Sequence, residues 1–313
     1  MLHLRSLREG LPLLRALGSD VRITILEKLA ENGPMHMSEI SDHVGISDGA
    51  LTPHIKALEK SGIISIEVAS GRHGVQKVCR ISEDRILIEL QPSEDPGSVF
   101  ETEIGVGQYT AYEIYPTCGL ATREHLIGEV DDPRHFASPE RLDSEILWFG
   151  RGYVEYMIPN FLSAAQELVE IQLSMELCSE APGSAEDWPS DIHFHINDHA
   201  LGYWTSPADF GATPGIYNPK WWFRHWNQHG LYKLLTVNAA GTFIDGGKIS
   251  NVSVGELGIE RCPNITFRLS VPETAQHVGG LTIFGRSFGN YHQDIKVRIR
   301  YKSKGAARAA QRE

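Results

Sequence analysis

One stretch concentrates residue types able to do chemistry. It runs Asn197-Asp198-His199-Ala200-Leu201-Gly202-Tyr203-Trp204-Thr205-Ser206-Pro207-Ala208-Asp209-Phe210-Gly211 and resumes at Tyr217-Asn218-Pro219-Lys220-Trp221-Trp222-Phe223-Arg224-His225-Trp226. Four of the six tryptophans, Trp204, Trp221, Trp222 and Trp226, fall inside it. Indole faces beside Asp, Asn, Arg and His side chains suit a saccharide, whose CH faces stack and whose hydroxyls take directed hydrogen bonds. The candidate ligand-binding residues are His193, His195, Asn197, Trp204, Asp209, Trp221, Trp222 and Arg224. Packing within a core or between domains is an equally good reading of any one tryptophan. The doublet Trp221-Trp222 cannot face a core with both rings from one strand, so at least one ring is expected near a surface or interface.

His193-x-His195 on a strand puts both imidazoles on one face, a pattern used by metal sites in some jelly rolls. The glutamate that should follow four or five residues later is absent, since positions 199 and 200 are His and Ala. No partner motif lies downstream, so no metal and no cofactor is assigned. Asp198 and Asp209 could in principle pair as acid and base, but nothing else in the sequence marks a hydrolase. HExxH and GxxxxGK[ST] are both missing. Asp209-Phe210-Gly211 has no accompanying kinase motifs and reads as a turn. No catalytic residue is assigned, and the chain is read as a non-enzyme.

The elements that must position these residues are strands. Val169 to Leu177, Ile192 to Ile196, Phe267 to Val271 and Ile295 to Ile299 each alternate apolar with polar residues. Ile104, Val106, Gln108, Thr110, Tyr112 and Ile114 sit on one further alternation, followed by a segment read as irregular from Pro116 to Asp143. Asp245-Gly246-Gly247 is a hairpin turn, and Gly279 to Gly285 a glycine-edged strand. Many half-polar strands with little helix predict an all-β sandwich, jelly-roll-like, over residues 102–301, with a disordered tail at 302–313.

The front of the chain has a different period. Val21, Ile25 and Leu29 make a helical stripe ended by Asn32-Gly33-Pro34. Ser38 to Ile64 then reads as two short helices around Gly45, the second carrying Leu51, Ile55 and Leu58 on one face. Ile64, Ile66 and Val68 start a strand that turns at Ser70-Gly71-Arg72-His73-Gly74 and returns through Val75, Lys77 and Cys79. LRALGSDVRITILEKLAENG, MSEISDHVGISDGALTPHIKALEKSGII and the following hairpin resemble the winged helix-turn-helix of ArsR/SmtB-type regulators. The resemblance covers about residues 10–90. It implies an operator-binding dimer, usually a repressor released by its effector. Metal-sensing members carry a cysteine-bearing motif before the turn; Met37 to His43 has no cysteine, so heavy-metal sensing is rejected.

The candidate DNA contacts are Ser47, Asp48, Thr52, Pro53, His54, Lys56, Arg72, His73 and Lys77. Ser47 and Asp48 sit where a helix N-terminus meets phosphate. Thr52, Pro53 and Lys56 flank or occupy the face opposite Leu51 and Ile55, and His54 matches a histidine frequent in the family. Arg72, His73 and Lys77 would reach phosphate or minor groove from the wing. Pro53 allows two readings: the helix bends there, or it starts there with Thr52 as cap.

Net charge is -11, which excludes a protein that coats nucleic acid. Residues 1–90 hold 11 Lys+Arg against 12 Asp+Glu; subtraction from the totals of 29 and 40 leaves 18 against 28 behind them. The deficit therefore sits in the second half, and a local basic patch is enough for a site-specific reader. Four scattered cysteines without CxxC spacing suit free thiols in the cytoplasm. No apolar run approaches the ~20 residues of a membrane helix, and no membrane partner is expected.

The predicted architecture is α+β multidomain: a winged helix-turn-helix over residues 1–90, a linker over 91–101 and the β-sandwich behind it. The predicted function is a cytoplasmic transcriptional regulator. It would act as a homodimer on a double-stranded DNA operator, under control of a small-molecule effector such as a sugar. The rivals are a jelly-roll hydrolase or metal-dependent isomerase with a DNA-binding head, and a sandwich that only dimerises.

Overall fold

The computed structural model describes residues 2–4, 6–71, 74–82, 86–88, 90 and 98–304, with the backbone alone at 3, 67–71, 74–76 and 261. They gather into two compact units, Met1–Pro96 and Gly97–Glu313.

In the first unit, β1 (Leu2–Leu4) leads into α1 (Leu7–Leu17), α2 (Asp20–Asn32), β2 (Met35–His36), α3 (Met37–Val44) and α4 (Asp48–Lys60). The hairpin β3 (Ile64–Gly71) and β4 (Gly74–Ile81) follows, then β5 (Ile86–Ile88). Helix starts follow side chains that accept orphan N–H groups: the Ser6 hydroxyl takes Glu9 N–H (3.1 Å) and Ser47 takes Ala50 N–H (3.3 Å). Gly45, at φ 73°, closes α3 in the left-handed region that a side chain would strain. Ile25, Leu29, Ile40, Leu51, Ile55, Leu58 and Cys79 form the buried centre.

The helices and hairpin match the expectation. The three-stranded sheet β2-β4-β3 and the parallel pair β1-β5 add to it. β1 and β5 are three residues each, too short for an alternation to register. The expected hairpin tip is tighter than its turn residues suggested, because Gly71 already pairs with Gly74.

The second unit begins inside the segment expected as linker, with β6 (Val99–Ile104). It continues with β7 (Ala111–Ala121), β8 (Ile146–Pro159), β9 (Gln166–Cys178), β10 (Ser190–Ile196), β11 (His199–Ser206) and β12 (Leu231–Asn238). Next come β13 (Gly241–Ile244), β14 (Gly247–Ser250), β15 (Asn264–Val271), β16 (Leu281–Phe284) and β17 (Ile295–Ser303). The 12 strands are joined by antiparallel pairing. One run reads β7-β8-β15-β10-β11, the other β6-β17-β9-β12-β13-β14, and β16 is bonded to β8 on one side and β9 on the other. At the far ends β11 approaches β14: a Cβ added at Gly202 would lie 3.4 Å from the Ile249 carbonyl oxygen. The predicted sandwich is thus a single antiparallel sheet folded over and nearly closed into a barrel. One apolar cluster fills it, with Phe194, Phe267, Tyr156, Leu173 and Ile283 at its centre.

Three expectations are corrected. The alternation from Ile104 to Ile114 is interrupted, because residues 105–110 are loop and the strand restarts at Ala111. Tyr109 is drawn out of the period by a buried hydrogen bond from its hydroxyl to the Phe136 carbonyl (2.6 Å). The segment from Pro116 is not irregular throughout: β7 runs to Ala121, and 3-10 turns at Pro133–Ala137 and Pro139–Asp143 follow. At the C-terminus β17 continues through Ser303, and Lys304 donates to the Ala164 carbonyl (3.1 Å) and the Glu260 carboxylate (3.0 Å). The rest of the expected tail, 305–313, lies outside the described residues, as does linker segment 91–97.

Candidate nucleic-acid interface and ligand cavities

The second helix of the helix-turn-helix is fixed from one side. Leu51, Ile55 and Leu58 are 0 to 1 % exposed. At about 100° per residue the opposite face is Gly49, Thr52, Pro53, Lys56 and Lys60, all exposed. The helix starts at Asp48 with Ser47 as cap and runs through Pro53. The alternative in which Thr52 caps a helix beginning at Pro53 is thereby replaced; the Thr52 hydroxyl instead donates back to the Asp48 carbonyl (2.9 Å). Pro53 stands on the solvent side, where water can take the carbonyl that its missing N–H leaves free.

Ser47 and Asp48 are exposed at the N-terminus, and Lys77 is exposed on β4. His54 is two positions from Lys56, roughly 200° around the helix, half-buried, with Nδ1 buried and unpartnered. It therefore does not share the Thr52–Lys56 face. Arg72 and His73 lie outside the described residues. Lys60, on the same exposed face as Lys56, was missed because it follows the last apolar position of the stripe.

The eight candidate ligand residues are not brought together. His193 and His195 point outward from β10, half-buried, into an open cleft of about 490 Å³ that also holds Tyr115, Arg151, Tyr153 and Arg268. His193 stacks on Tyr203 (5.0 Å between centroids), and the guanidiniums of Arg151 and Arg268 lie over the rings of Tyr115 and Tyr153. Burial holds both imidazoles below the ordinary histidine value, with Arg268 and His193 adding to the effect at His195. Among the described residues no cluster of three or more His, Cys, Asp or Glu could hold a metal ion.

Asn197 is a turn staple. It has φ 51°, accepts Thr266 N–H (3.0 Å) and donates to the Leu257 carbonyl (3.2 Å). Trp204 projects to the other face of its sheet from His193, packs against the main core and receives the Lys233 ammonium over its ring at 4.2 Å.

Asp209, Trp221 and Trp222 belong to a third region, and Arg224 is exposed beside it. Trp222 is buried and donates to the Asn227 carbonyl (2.9 Å), while the half-buried Trp221 donates to the Arg123 carbonyl (2.6 Å). Trp148, Trp222 and Trp226 meet edge-to-face, with centroids 5.3 to 5.9 Å apart. Trp148 and Trp226 line a cavity of about 230 Å³ whose polar lining is Thr117, Asp131, Glu180 and Asn227.

Glu180 is 7 % exposed. Its carboxyl accepts from Thr117 (3.2 Å), Asn227 (3.1 Å) and Thr282 (3.1 Å). Burial, then the charge of Asp209, push it well above the usual carboxylate range. Asp209 has no exposure, accepts Ala181 N–H (3.0 Å) and is raised by burial to about 7. Gly280, at φ 70°, lets β16 approach: a Cβ there would lie 2.6 Å from that of Glu180. Apart from Trp226, this cavity's residues come from segments that carried no signal, because Thr117, Asp131, Trp148 and Glu180 are widely separated in sequence.

Residues 19–65 match the family described as bacterial regulatory protein, arsR family. Among solved structures, a possible transcriptional regulatory protein (fragment 1–100) from Mycobacterium bovis is 22% identical. That alignment covers 25% of this chain and 78% of that one at a TM-score of 0.22. The Agl-KA catalytic domain is 7% identical over 50% of this chain and 21% of that one, TM-score 0.24. No curated protein matches the chain.

Proposed function

We propose, from the arsR-type helix-turn-helix at residues 19–65, that the chain is a transcriptional regulator whose operator affinity is set by a small ligand held in the second unit. The carrying observation is the exposed face of α4, where Thr52, Pro53 and Lys56 stand opposite a fully buried apolar stripe. A helix buried on one side and exposed at Thr52, Pro53 and Lys56 on the other suits a major groove. Leu7 and Leu14 are exposed on α1, 49 and 42 % respectively, which supports a homodimer. Two copies would place recognition helices on half-sites about one helical turn apart.

The effector reading is supported by the cavities of the second unit, with their aromatic walls and directed polar groups. A ligand that binds one dimer arrangement better shifts the population of the DNA-competent state by that difference in affinity. Repression relieved by ligand is the proposed sense.

Selection of a bound duplex from a randomised pool tests the DNA reading. With the selected operator, Lys56→Ala combined with Arg72→Ala should weaken binding and flatten its salt dependence. The loss should be about 0.9 in log–log slope for each phosphate contact removed. An unchanged slope removes both residues from the interface. Failure to enrich any sequence removes the regulator reading itself.

A further inference from the structure

We infer that the cavity lined by Trp148 and Trp226 binds the ring of one neutral, polyhydroxylated sugar and discriminates against sugar acids. This rests on the effector reading above and gives it a location and a ligand class.

Size comes first. About 230 Å³ falls below the ~300–1,000 Å³ of sites that take drug-sized molecules, so it suits a single ring and not a chain of them. Shape comes next. The two indoles meet at 63° with centroids 5.6 Å apart, and Trp222 braces both edge-on (5.9 and 5.3 Å). Trp222 is itself held by its hydrogen bond to the Asn227 carbonyl (2.9 Å). The walls are therefore fixed before a ligand arrives, and a flat CH face can stack without ordering them.

Polarity separates a sugar from an apolar ring. The Thr117 hydroxyl, the Asn227 amide and the Asp131 and Glu180 carboxyls all line the same small space. Their positions are set from behind. Asp131, at φ 62°, accepts Cys118 N–H (2.8 Å), and Asn227 donates to both Glu180 (3.1 Å) and Thr282 (2.9 Å). The Thr117 O–H also donates to Glu180 (3.2 Å), so the lining presents chiefly acceptor oxygens in fixed directions, which suits the O–H donors of adjacent hydroxyls.

Charge separates a neutral sugar from an acid. Among the described residues no Lys, Arg or His lines the cavity, two carboxyl groups do, and the Asp209 carboxyl lies behind Glu180. A ligand carboxylate entering there would find no cation to pair with in a poorly solvated space. The outer cleft, with Arg151, Arg268, His193 and His195, shares no lining residue with this cavity.

The test uses the full chain. Tryptophan fluorescence and calorimetry would be followed with D-xylose, L-arabinose, D-glucose and D-galactose, with D-glucuronate and D-galacturonate, and with choline. At least one neutral sugar should bind, with its matching uronate weaker by about tenfold or more. Trp226→Ala should weaken that sugar about tenfold. Val130→Phe, at a rim position 41 % exposed, should do the same while leaving the melting temperature unchanged.

Equal or tighter binding of a uronate, binding of choline alone, binding of none of the sugars, or affinities unmoved in both variants would each overturn the assignment. Operator affinity measured with and without the bound sugar is a separate readout. A sugar that binds the cavity without moving operator affinity removes the regulatory reading and leaves the site. An operator response that survives Trp226→Ala and Val130→Phe removes the site and leaves the regulation.

Discussion

The second unit should melt at a higher temperature as the pH is lowered from about 8 to about 5.5, the reverse of ordinary acid destabilisation. Glu176 is fully buried, and burial raises it to about 7 against the opposing pull of the Gly230, Asn290 and Tyr291 N–H groups. Burial raises Asp209 to about 7 and Asp294 to about 6. An acid whose folded pKa exceeds its unfolded value binds more protons when folded across that interval. Stability therefore falls as pH rises from about 4 toward 7, and the penalty is complete above it. For Glu176 the span corresponds to on the order of 3 kcal/mol.

His193 and His195, held low by burial, work the other way and subtract stability below about pH 6.5. The lowered Asp191 and Asp132 lose theirs only below about pH 4. All six tryptophans, Trp148, Trp188, Trp204, Trp221, Trp222 and Trp226, lie in this unit, so indole fluorescence reports its melting alone. Glu176→Gln should melt lower at every pH, since an amide cannot accept all the N–H donors, but with a shallower pH slope. A melting temperature that stays level or falls between about pH 8 and 5.5 would show that these carboxyls do not titrate as buried groups.

Lys233→Ala is expected to destabilise the same unit by about 3–5 kcal/mol. The Lys233 ammonium, its side chain 3 % exposed, lies 2.7 Å from Asp245 and over the Trp204 ring at 4.2 Å. Asp245, at φ 50° in the two-residue β13–β14 turn, also accepts Leu234 N–H (3.0 Å). Truncating the lysine leaves a partly buried carboxylate without this ammonium and an indole without its cation. Lys233→Met combined with Asp245→Asn should recover most of the loss, because neither charge then needs a counterpart. Denaturant melts of the single and double variants check this. A single-variant cost below about 1 kcal/mol would place the pair with solvent-screened surface pairs.

How legible each part was follows from the distance over which its physics acts. The helix-turn-helix announces itself because Leu51, Ile55 and Leu58 repeat along one helix and Gly45 sits where only a left-handed turn fits; all the causes are local. The strands of the second unit were legible where one face is buried and the other wet, as in β10, where Ile192, Phe194 and Ile196 are buried and His193 and His195 are not. Where both faces are covered, as along Ile146 to Phe149 of β8, no period exists to read. The tryptophan-rich stretch was recognised, but not which rings face a cavity. Trp222 and Trp226 are four apart in a loop without a repeat, and their partner Trp148 arrives from a strand more than 70 residues earlier. Lys233 offered no warning either, since its counter-ion is supplied by a hairpin turn and its ring partner by β11.

β16 is only four residues long, yet among the described strands it alone is hydrogen-bonded to both β8 and β9. Its Thr282 pairs with Trp148 on one flank and Cys178 on the other, while its hydroxyl donates to Glu180. A rivet of this kind makes the carboxyl and the two halves of the barrel one mechanical joint. Any guest that competes for the Glu180 oxygens pulls on the stitch that keeps those halves in step, so a change of a single hydrogen bond is delivered to both walls at once.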